Sequence, residues 1–335
     1  MQLFHRIAVA AAAAALALTG LTVQTANAAE TDPYSAPGGH STGGRLWKTT
    51  CEKYSSDVVR CRTDIHATVV VQRGGRYVND TGWHFNNLTY LPSPRARWAA
   101  NPLGRTGTFT SHGRQWRTEC DTAATGNGAC RSYILTSYVA REGGRYVTKR
   151  GYVFNNMVRF AQGGIAPVTT VPAHVLDQST LDFDGFGPIK LDMRGRDLGL
   201  LGYMDRHTRS ECAPMWDPNG VVKSRGVDIS STSDTGKAWY VSLTDATSAT
   251  TDGARVGMTI GQIKAIYGSE YREVRKHNYG EDQSFGSVRS GGRELMFRVD
   301  GPGDTYAPTR ALRDTDVVAE IRAWNFADDV SFDGC

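Results

Sequence analysis

Gly74-Gly75-Arg76-Tyr77-Val78 and Gly82-Trp83-His84-Phe85-Asn86-Asn87 return as Gly143-Gly144-Arg145-Tyr146-Val147 and Gly151-Tyr152-Val153-Phe154-Asn155-Asn156, in each case shifted by 69 positions without a gap. The same shift carries Gly44-Arg45-Leu46-Trp47 onto Gly113-Arg114-Gln115-Trp116, and Cys51 and Cys61 onto Cys120 and Cys130. Internal repetition of this kind defines one small module used twice, over residues 44–90 and 113–160. It also orders the cysteines. Six cysteines allow fifteen pairings, but each module carries its own pair at equal separation. Cys51 with Cys61 and Cys120 with Cys130 is the simplest assignment, and Cys212 with Cys335 remains.

Within a module the residues are those of antiparallel strands. Leu46 to Lys53 and Val59 to Gln72 flank the turn-forming Ser55-Ser56-Asp57, so the cystine staples a hairpin. Gly74-Gly75 supplies a positive-φ turn into Arg76-Tyr77-Val78, and Gly82 opens a last strand through Phe85. One such four-stranded meander cannot bury both faces. The two copies are therefore expected to pack as a pseudo-symmetric sandwich or barrel, giving a mainly β chain. The Pro-bearing stretch 91–112 is expected to be a structured connector, and the Gly-, Ser- and Thr-rich residues 29–43 a disordered leader.

Arg6, an apolar run from Ile7 to Leu18 and the small residues Ala26-Asn27-Ala28 form a signal-peptide pattern, with cleavage expected after Ala28. The run is too short to span a bilayer and no later segment is longer, so no membrane span is expected. An even cysteine count in an exported chain reads as disulfides, consistent with a secreted, extracellular location.

After a linker over 161–180 the composition changes. Residues 44–160 hold 18 Lys and Arg against 7 Asp and Glu, whereas residues from 161 onward hold 19 against 25. A second echo lies here. Ile189-Lys190-Leu191-Asp192-Met193, with a segment ending Leu201-Gly202, parallels Arg255-Val256-Gly257-Met258-Thr259, with a segment ending Tyr267-Gly268. Both read as a strand, a capped helix and a glycine stop, with Thr259 as an N-cap and Ile260, Ile263, Ile266 and Tyr267 on one helical face. This pattern resembles the helix-plus-sheet modules of the β-lactamase-inhibitory protein family and related bacterial envelope lipoproteins. The resemblance implies an α+β domain over 181–335, with Asp192 departing from the expected glycine. The tandem part resembles, through its Cys-Arg-Thr, Gly-Arg-Tyr-Val and Phe-Asn-Asn blocks, an uncharacterised module of secreted actinobacterial proteins.

The sequence contains no nucleophile elbow, zinc helix, P-loop or dinucleotide fingerprint. Asp182-Phe183-Asp184-Gly185 opens like a calcium loop, but Met193 stands where the closing glutamate is required. No cofactor, metal or catalytic residue is assigned. A hydrolase would have to draw on carboxylates such as Asp182, Asp184, Asp205 or Glu211. What remains is binding chemistry. Trp47, Arg76, Tyr77, Trp83, Asn86 and Asn87, mirrored by Trp116, Arg145, Tyr146, Tyr152, Asn155 and Asn156, combine aromatic faces with amide and guanidinium donors. The simpler use of the same residues is as core aromatics, with each Asn-Asn pair capping a turn. Fifteen of the 18 cations in 44–160 are arginine, whose fork suits carboxylate and phosphate. The expected partner is an anionic cell-wall polymer or an acidic protein. No nucleic-acid motif is present, and docking on the chain's own acidic half is the competing use of this charge. The reading is a secreted, non-catalytic binding or inhibitor-like protein, with an extracellular hydrolase or a wall-associated structural protein as rivals.

Overall fold

The computed structural model describes residues 32–208, 214–278, 281–300 and 307–325. The signal-peptide segment, Glu211, Cys212 and Cys335 lie outside the described residues.

The first eight strands are β1 (Gly38–Thr42), β2 (Arg45–Ser55), β3 (Val58–Arg73), β4 (Arg76–Ser93), β5 (Gly107–Ser111), β6 (Arg114–Cys120), β7 (Ala129–Glu142) and β8 (Arg145–Phe160). They form one sheet in the order β1-β2-β3-β4-β8-β7-β6-β5. All neighbours are antiparallel except the central pair, where β4 runs parallel to β8 through Leu88↔Asn156 and Tyr90↔Val158. Mirrored order with a parallel central pair is what a two-fold axis along the strands produces. The copies are thus pseudo-symmetric, but they join edge to edge in an open sheet whose end strands are β1 and β5, and not as a sandwich or closed barrel.

Each copy has four strands, though not the four read from the sequence. Arg76 to Ser93 is one continuous strand, and the fourth member comes from upstream. The supposed disordered leader contributes β1, with His40 only 2% exposed, and the connector contributes β5 at the same 69-residue shift. The repeat reaches back further still. Asp32-Pro33 matches Asn101-Pro102, and the Asp32 and Asn101 side chains accept 3.0 Å hydrogen bonds from the equivalent amides of Tyr34 and Leu103. The signal was the composition of these segments, which argued against regular structure. Strand pairing overrode it.

Gly74-Gly75 (φ 55° and 77°) and Gly143-Gly144 (φ 54° and 82°) close the long β3–β4 and β7–β8 arms in the left-handed conformation that suits tight hairpins. The Phe-Asn-Asn blocks have a different task. Thr63 pairs with Asn87 and Asp64 with Phe85, so Asn86 is the extra residue of a bulge; Ser132↔Asn156 and Tyr133↔Phe154 make Asn155 its counterpart. Both predicted module cystines are present, Cys51–Cys61 and Cys120–Cys130, each joining directly opposed residues of neighbouring strands. Side chains alternate between faces, which separates their surroundings. Cys130 packs with Val58, Tyr90, Trp98, Val158 and Phe160, and Cys61 with Val59 and Leu91 on the other face.

The remaining strands are β9 (Leu181–Asp182), β10 (Gly185–Phe186), β11 (Ile189–Lys190), β12 (Met204–His207), β13 (Met215–Pro218), β14 (Val227–Ile229), β15 (Thr232–Ser233), β16 (Tyr240–Leu243), β17 (Arg272–Asn278), β18 (Glu281–Ser290), β19 (Arg293–Val299) and β20 (Val318–Trp324). The helices are α1 (Gly195–Leu201), α2 (Gly220–Lys223) and α3 (Ile260–Tyr267). A six-stranded antiparallel sheet, β14-β16-β20-β19-β18-β17, is covered by α3. Thr259 and Gln262 form the capping box of α3, while Ile260, Ile263 and Tyr267 enter the core and Ile266 stays exposed. The second repeat is real in geometry. Asp192 (φ 67°) holds the left-handed position of Gly257 (φ 89°), and Arg194 and Thr259 are the respective N-caps. Asp192 N–H donates to the Ala238 carbonyl at 2.9 Å as Gly257 N–H does to Val318 at 2.8 Å. Aspartate tolerates this conformation better than most residues, which explains the departure from glycine.

Candidate functional site

The two copies share a frame but differ in what covers them. In copy 1, Leu46 and Trp83, with Ala36, pack on the core of the C-terminal half. The Tyr203 hydroxyl, buried with its pKa pushed up by loss of solvent, donates to the Gly39 carbonyl. A Cβ on Gly39 would come within 2.6 Å of the Leu201 carbonyl oxygen, so β1 lies directly on α1. In copy 2 the equivalents of Leu46 and Trp83 are Gln115 and Tyr152, both exposed. Arg117 there stacks over Tyr152 at 4.9 Å, as Lys48 does over Trp83 at 5.1 Å; Arg62 over Phe85 and Arg131 over Phe154 form a second repeated pair, at 4.9 and 5.4 Å.

Arg76 and Tyr77 sit at one arm tip, Arg145 and Tyr146 at the other. Arg76 and Arg145 are exposed, whereas the tyrosines meet each other. Trp83 belongs to the interface with the C-terminal half. The remaining named residues divide by copy. Asn87 is fully buried and satisfied: Asn86 Nδ2 donates to its Oδ1, and its Nδ2 donates to Thr89 Oγ1, both at 2.7 Å. Trp47 Nε1 donates to the Thr42 carbonyl at 3.3 Å, and Tyr34 stands edge-on to its ring at 5.7 Å. Copy 1 is closed by its own groups.

Copy 2 is not. Val158 replaces Thr89 and Leu103 replaces Tyr34 at the equivalent positions. Asn156, only 5% exposed, keeps an unpartnered Oδ1, and Trp116 keeps a buried, unpartnered Nε1. Both side chains line a cavity of about 480 Å³ shared with Phe109, Ser111 and the 97–103 segment. Phe109 and Trp116 lie parallel within 8°, with ring centroids 6.0 Å apart. Buried polar atoms are ordinarily hydrogen-bonded. An unsatisfied donor and an unsatisfied acceptor beside two aromatic rings can receive a group that brings both complements. Asn155 lines an adjoining hollow with Asn86, Phe85 and Arg114. The repeated blocks from residue 44 onward do not mark Phe109 and Leu103, whose counterparts His40 and Tyr34 precede those blocks.

The carboxylates proposed for a hydrolase are not gathered in this way. Asp182 and Asp184 share one turn, joined by a 2.8 Å bond from Asp184 N–H to Asp182 Oδ1, and Asp205 lies on β12; none of the three is fully buried. Asp228, which sequence reading passed over within Val227-Asp228-Ile229, is the carboxyl whose pKa rises, because burial disfavours its charged form while the Tyr240 hydroxyl, 3.0 Å away, partly offsets this. Among the described residues no cluster of His, Cys, Asp and Glu is arranged to hold a metal ion, and no helix is long and apolar enough to cross a membrane.

No family model and no curated protein matches the chain. The uncharacterized protein yfeY from Escherichia coli is similar in structure at 11% identity, covering 44% of this chain and 99% of that one, with a TM-score of 0.27. At that score the likeness carries no argument about fold or function.

Proposed function

We propose that the chain is an exported, non-catalytic binding protein whose tandem sheet engages an anionic polymer of the cell envelope. The observation that carries this reading is a set of exposed arginines with no carboxylate partner among the described residues. Arg45, Arg76, Arg105, Arg114, Arg141, Arg145 and Arg150 all lie on the tandem sheet or its connector, and four of them belong to copy 2. The paired cations of this half find acids close by: Arg60 with Glu52, Arg62 with Asp64, Arg95 with Asp121, Arg97 with Asp57 and Arg159 with Asp32. The contact with the acidic half is made instead by the apolar Leu46 and Trp83 and by the Gly39 and Pro37 carbonyls, which accept from Tyr203 and Val175. Self-docking therefore leaves the basic charge available, and guanidinium forks suit phosphate and carboxylate. Two cystines and the N-terminal apolar run support export.

The test is co-sedimentation of the mature, oxidised protein with isolated cell wall across a salt series. Retention should fall as salt rises, because exposed charges are screened. Changing Arg114, Arg141, Arg145 and Arg150 together to glutamine should weaken retention roughly tenfold or more, equivalent to about 1.4 kcal/mol. Retention indifferent to both salt and these changes would overturn the reading. Capture of an acidic protein in place of the polymer would redirect it to the inhibitor-like alternative.

A further inference from the structure

The Trp116 cavity does not end at Asn156. Ser111, on its wall, pairs with Arg114 of the adjoining hollow, and Trp116 pairs with Ile134 of that hollow. Asn156 and Asn155 are successive residues at the β8 bulge, one in each hollow. The two spaces therefore lie side by side on one face of the sheet, and we take them together as one groove. Their combined lining runs over β5, β6, β7 and β8 to Phe85 on β4, four strand spacings or about 19 Å. Such a length suits an extended chain better than a single small molecule.

The wall chemistry narrows the class of chain. Asn156 Oδ1 requires a donor, Trp116 Nε1 requires an acceptor, and Phe109 and Trp116 offer parallel rings in the same cavity. An acetamido group supplies N–H and C=O together, and a pyranose presents a C–H face that aromatic rings accept. We propose that the groove of copy 2 binds a linear N-acetylated glycan, with its acetamido N–H donated to Asn156 and one of its oxygens accepting from Trp116. Arg114, exposed midway along the groove, meets an acidic substituent where the glycan carries one. This deepens the polymer-binding reading by naming a neutral ring-bearing part that salt does not screen. Copy 1 is the internal contrast, since Tyr34, Thr42, Asn86 and Thr89 occupy or satisfy the equivalent place.

The probe is N,N′,N″-triacetylchitotriose, titrated calorimetrically into the full oxidised protein at low and at high salt, with maltotriose as the comparison lacking acetamido groups. The acetylated trimer should bind equally at both salts and maltotriose should not bind. W116F removes the indole donor and should weaken binding roughly tenfold, while W47F, at the equivalent place in copy 1, should leave it unchanged. L103Y installs the residue that copy 1 already accommodates and should abolish binding with both cystines intact. No binding of the acetylated trimer, equal binding of maltotriose, an L103Y protein that still binds, or equal losses from W116F and W47F would each overturn the proposal. Wall retention that is insensitive to salt, alongside intact trimer binding, would remove the charge-based reading alone; the converse would remove the groove alone.

Discussion

Tyr77 and Tyr146, equivalent residues 69 positions apart, touch each other at the arm tips, with ring centroids 5.9 Å apart and Tyr77 hydroxyl 3.3 Å from Thr148 Oγ1. Only residues close to a two-fold axis meet their own counterparts, so the pseudo-axis that passes between β4 and β8 continues to the tips. The contact ties together two arms that are otherwise long and exposed. An aromatic pair of this kind contributes about 0.5–1.5 kcal/mol. Y146A should therefore lower global stability by about 1 kcal/mol or less, yet speed amide exchange around Tyr77, in the other copy. Unchanged exchange at residues 76–80 would show that the tips are independent.

The cystines are predicted to act on both copies at once. Removing either pair, by C51S/C61S or C120S/C130S, should cost about 2–4 kcal/mol through the freedom returned to the unfolded chain. Because Cys61 and Cys130 each lie one strand from the shared β4–β8 pair, loss in one copy should reduce exchange protection in β3 and β7 alike. Protection lost in the altered copy alone would mean that the parallel junction does not couple them.

The repeat, both module cystines and the α3 cap were legible because each is a local pattern: an identical spacing, a paired cysteine, a Thr-x-x-Gln box. Neither copy's first strand was legible. β1 and β5 are short edge strands of five residues, built from Gly-Gly-His-Ser-Thr and Gly-Thr-Phe-Thr-Ser, and their order comes from pairing with β2 and β6 and not from their own propensity. Edge-to-edge joining was equally hidden. A parallel pair between β4 and β8 depends on contacts nearly 70 residues apart, and strand composition does not encode the choice between stacking and joining. At the candidate site, the sequence named Trp116 and Asn156 but treated the copies as equal. The copies differ at Leu103 in place of Tyr34, which lines the Trp116 cavity, and at Val158 in place of Thr89, which removes the acceptor of the Asn87 Nδ2 bond; the missing partner of Asn156 Oδ1 is the bond that Asn86 supplies in copy 1, and the retained Asn155 gives no sign of that loss in the sequence.

The seam between copy 1 and the C-terminal half should respond to acid. Burial holds the pKa of His40 below its ordinary value, although its Nε2–H donates to the Ala36 carbonyl at 2.8 Å and Asp32 attracts the charged form. His174 is also lowered, by burial and by the charge of Arg225, against the pull of Asp177. Its Nδ1 accepts from Leu176 N–H at 3.2 Å, a bond that requires an unprotonated nitrogen. The unfolded chain takes up these protons near pH 6.5, the folded chain only at lower pH. Stability is therefore undiminished above about 6.5 and falls as pH drops below it. H174N keeps a capping acceptor and H40F installs the counterpart Phe109. The double variant should show a flatter urea midpoint between pH 7.5 and pH 5.5, about the window in which an ordinary histidine titrates. A wild-type midpoint that is level across this window would refute the coupling.

Glu294 should govern stability at lower pH, as a buried anion where the histidines are buried neutral groups, and its contribution too is lost on acidification. Its side chain is wholly buried in the C-terminal sheet; burial by itself would raise its pKa, but the Ser287 hydroxyl and the cations of Lys276 and Arg289 outweigh that and hold it below its ordinary value. Lys276 Nζ lies 2.9 Å from Oε2 and Trp324 Nε1 donates to the same oxygen at 2.7 Å. A carboxylate with a depressed folded pKa stabilises above its unfolded value, 4.5 for glutamate, and that contribution disappears as pH falls through the folded value. E294Q keeps the shape but removes the charge that four donors address. Breaking a buried pair from one side typically costs about 3–5 kcal/mol. Lys276 retains access to solvent, so a loss of about 2–3 kcal/mol at pH 7 is expected. The gap between wild type and E294Q should narrow as the medium is acidified toward about pH 3, below the ordinary carboxylate range. Glu320, buried between Arg298 and Arg322 with its own pKa lowered, leaves a residual acid slope in the variant. A gap that stays constant from neutral to acidic pH would mean that Glu294 contributes through packing and neutral hydrogen bonds and not as an anion.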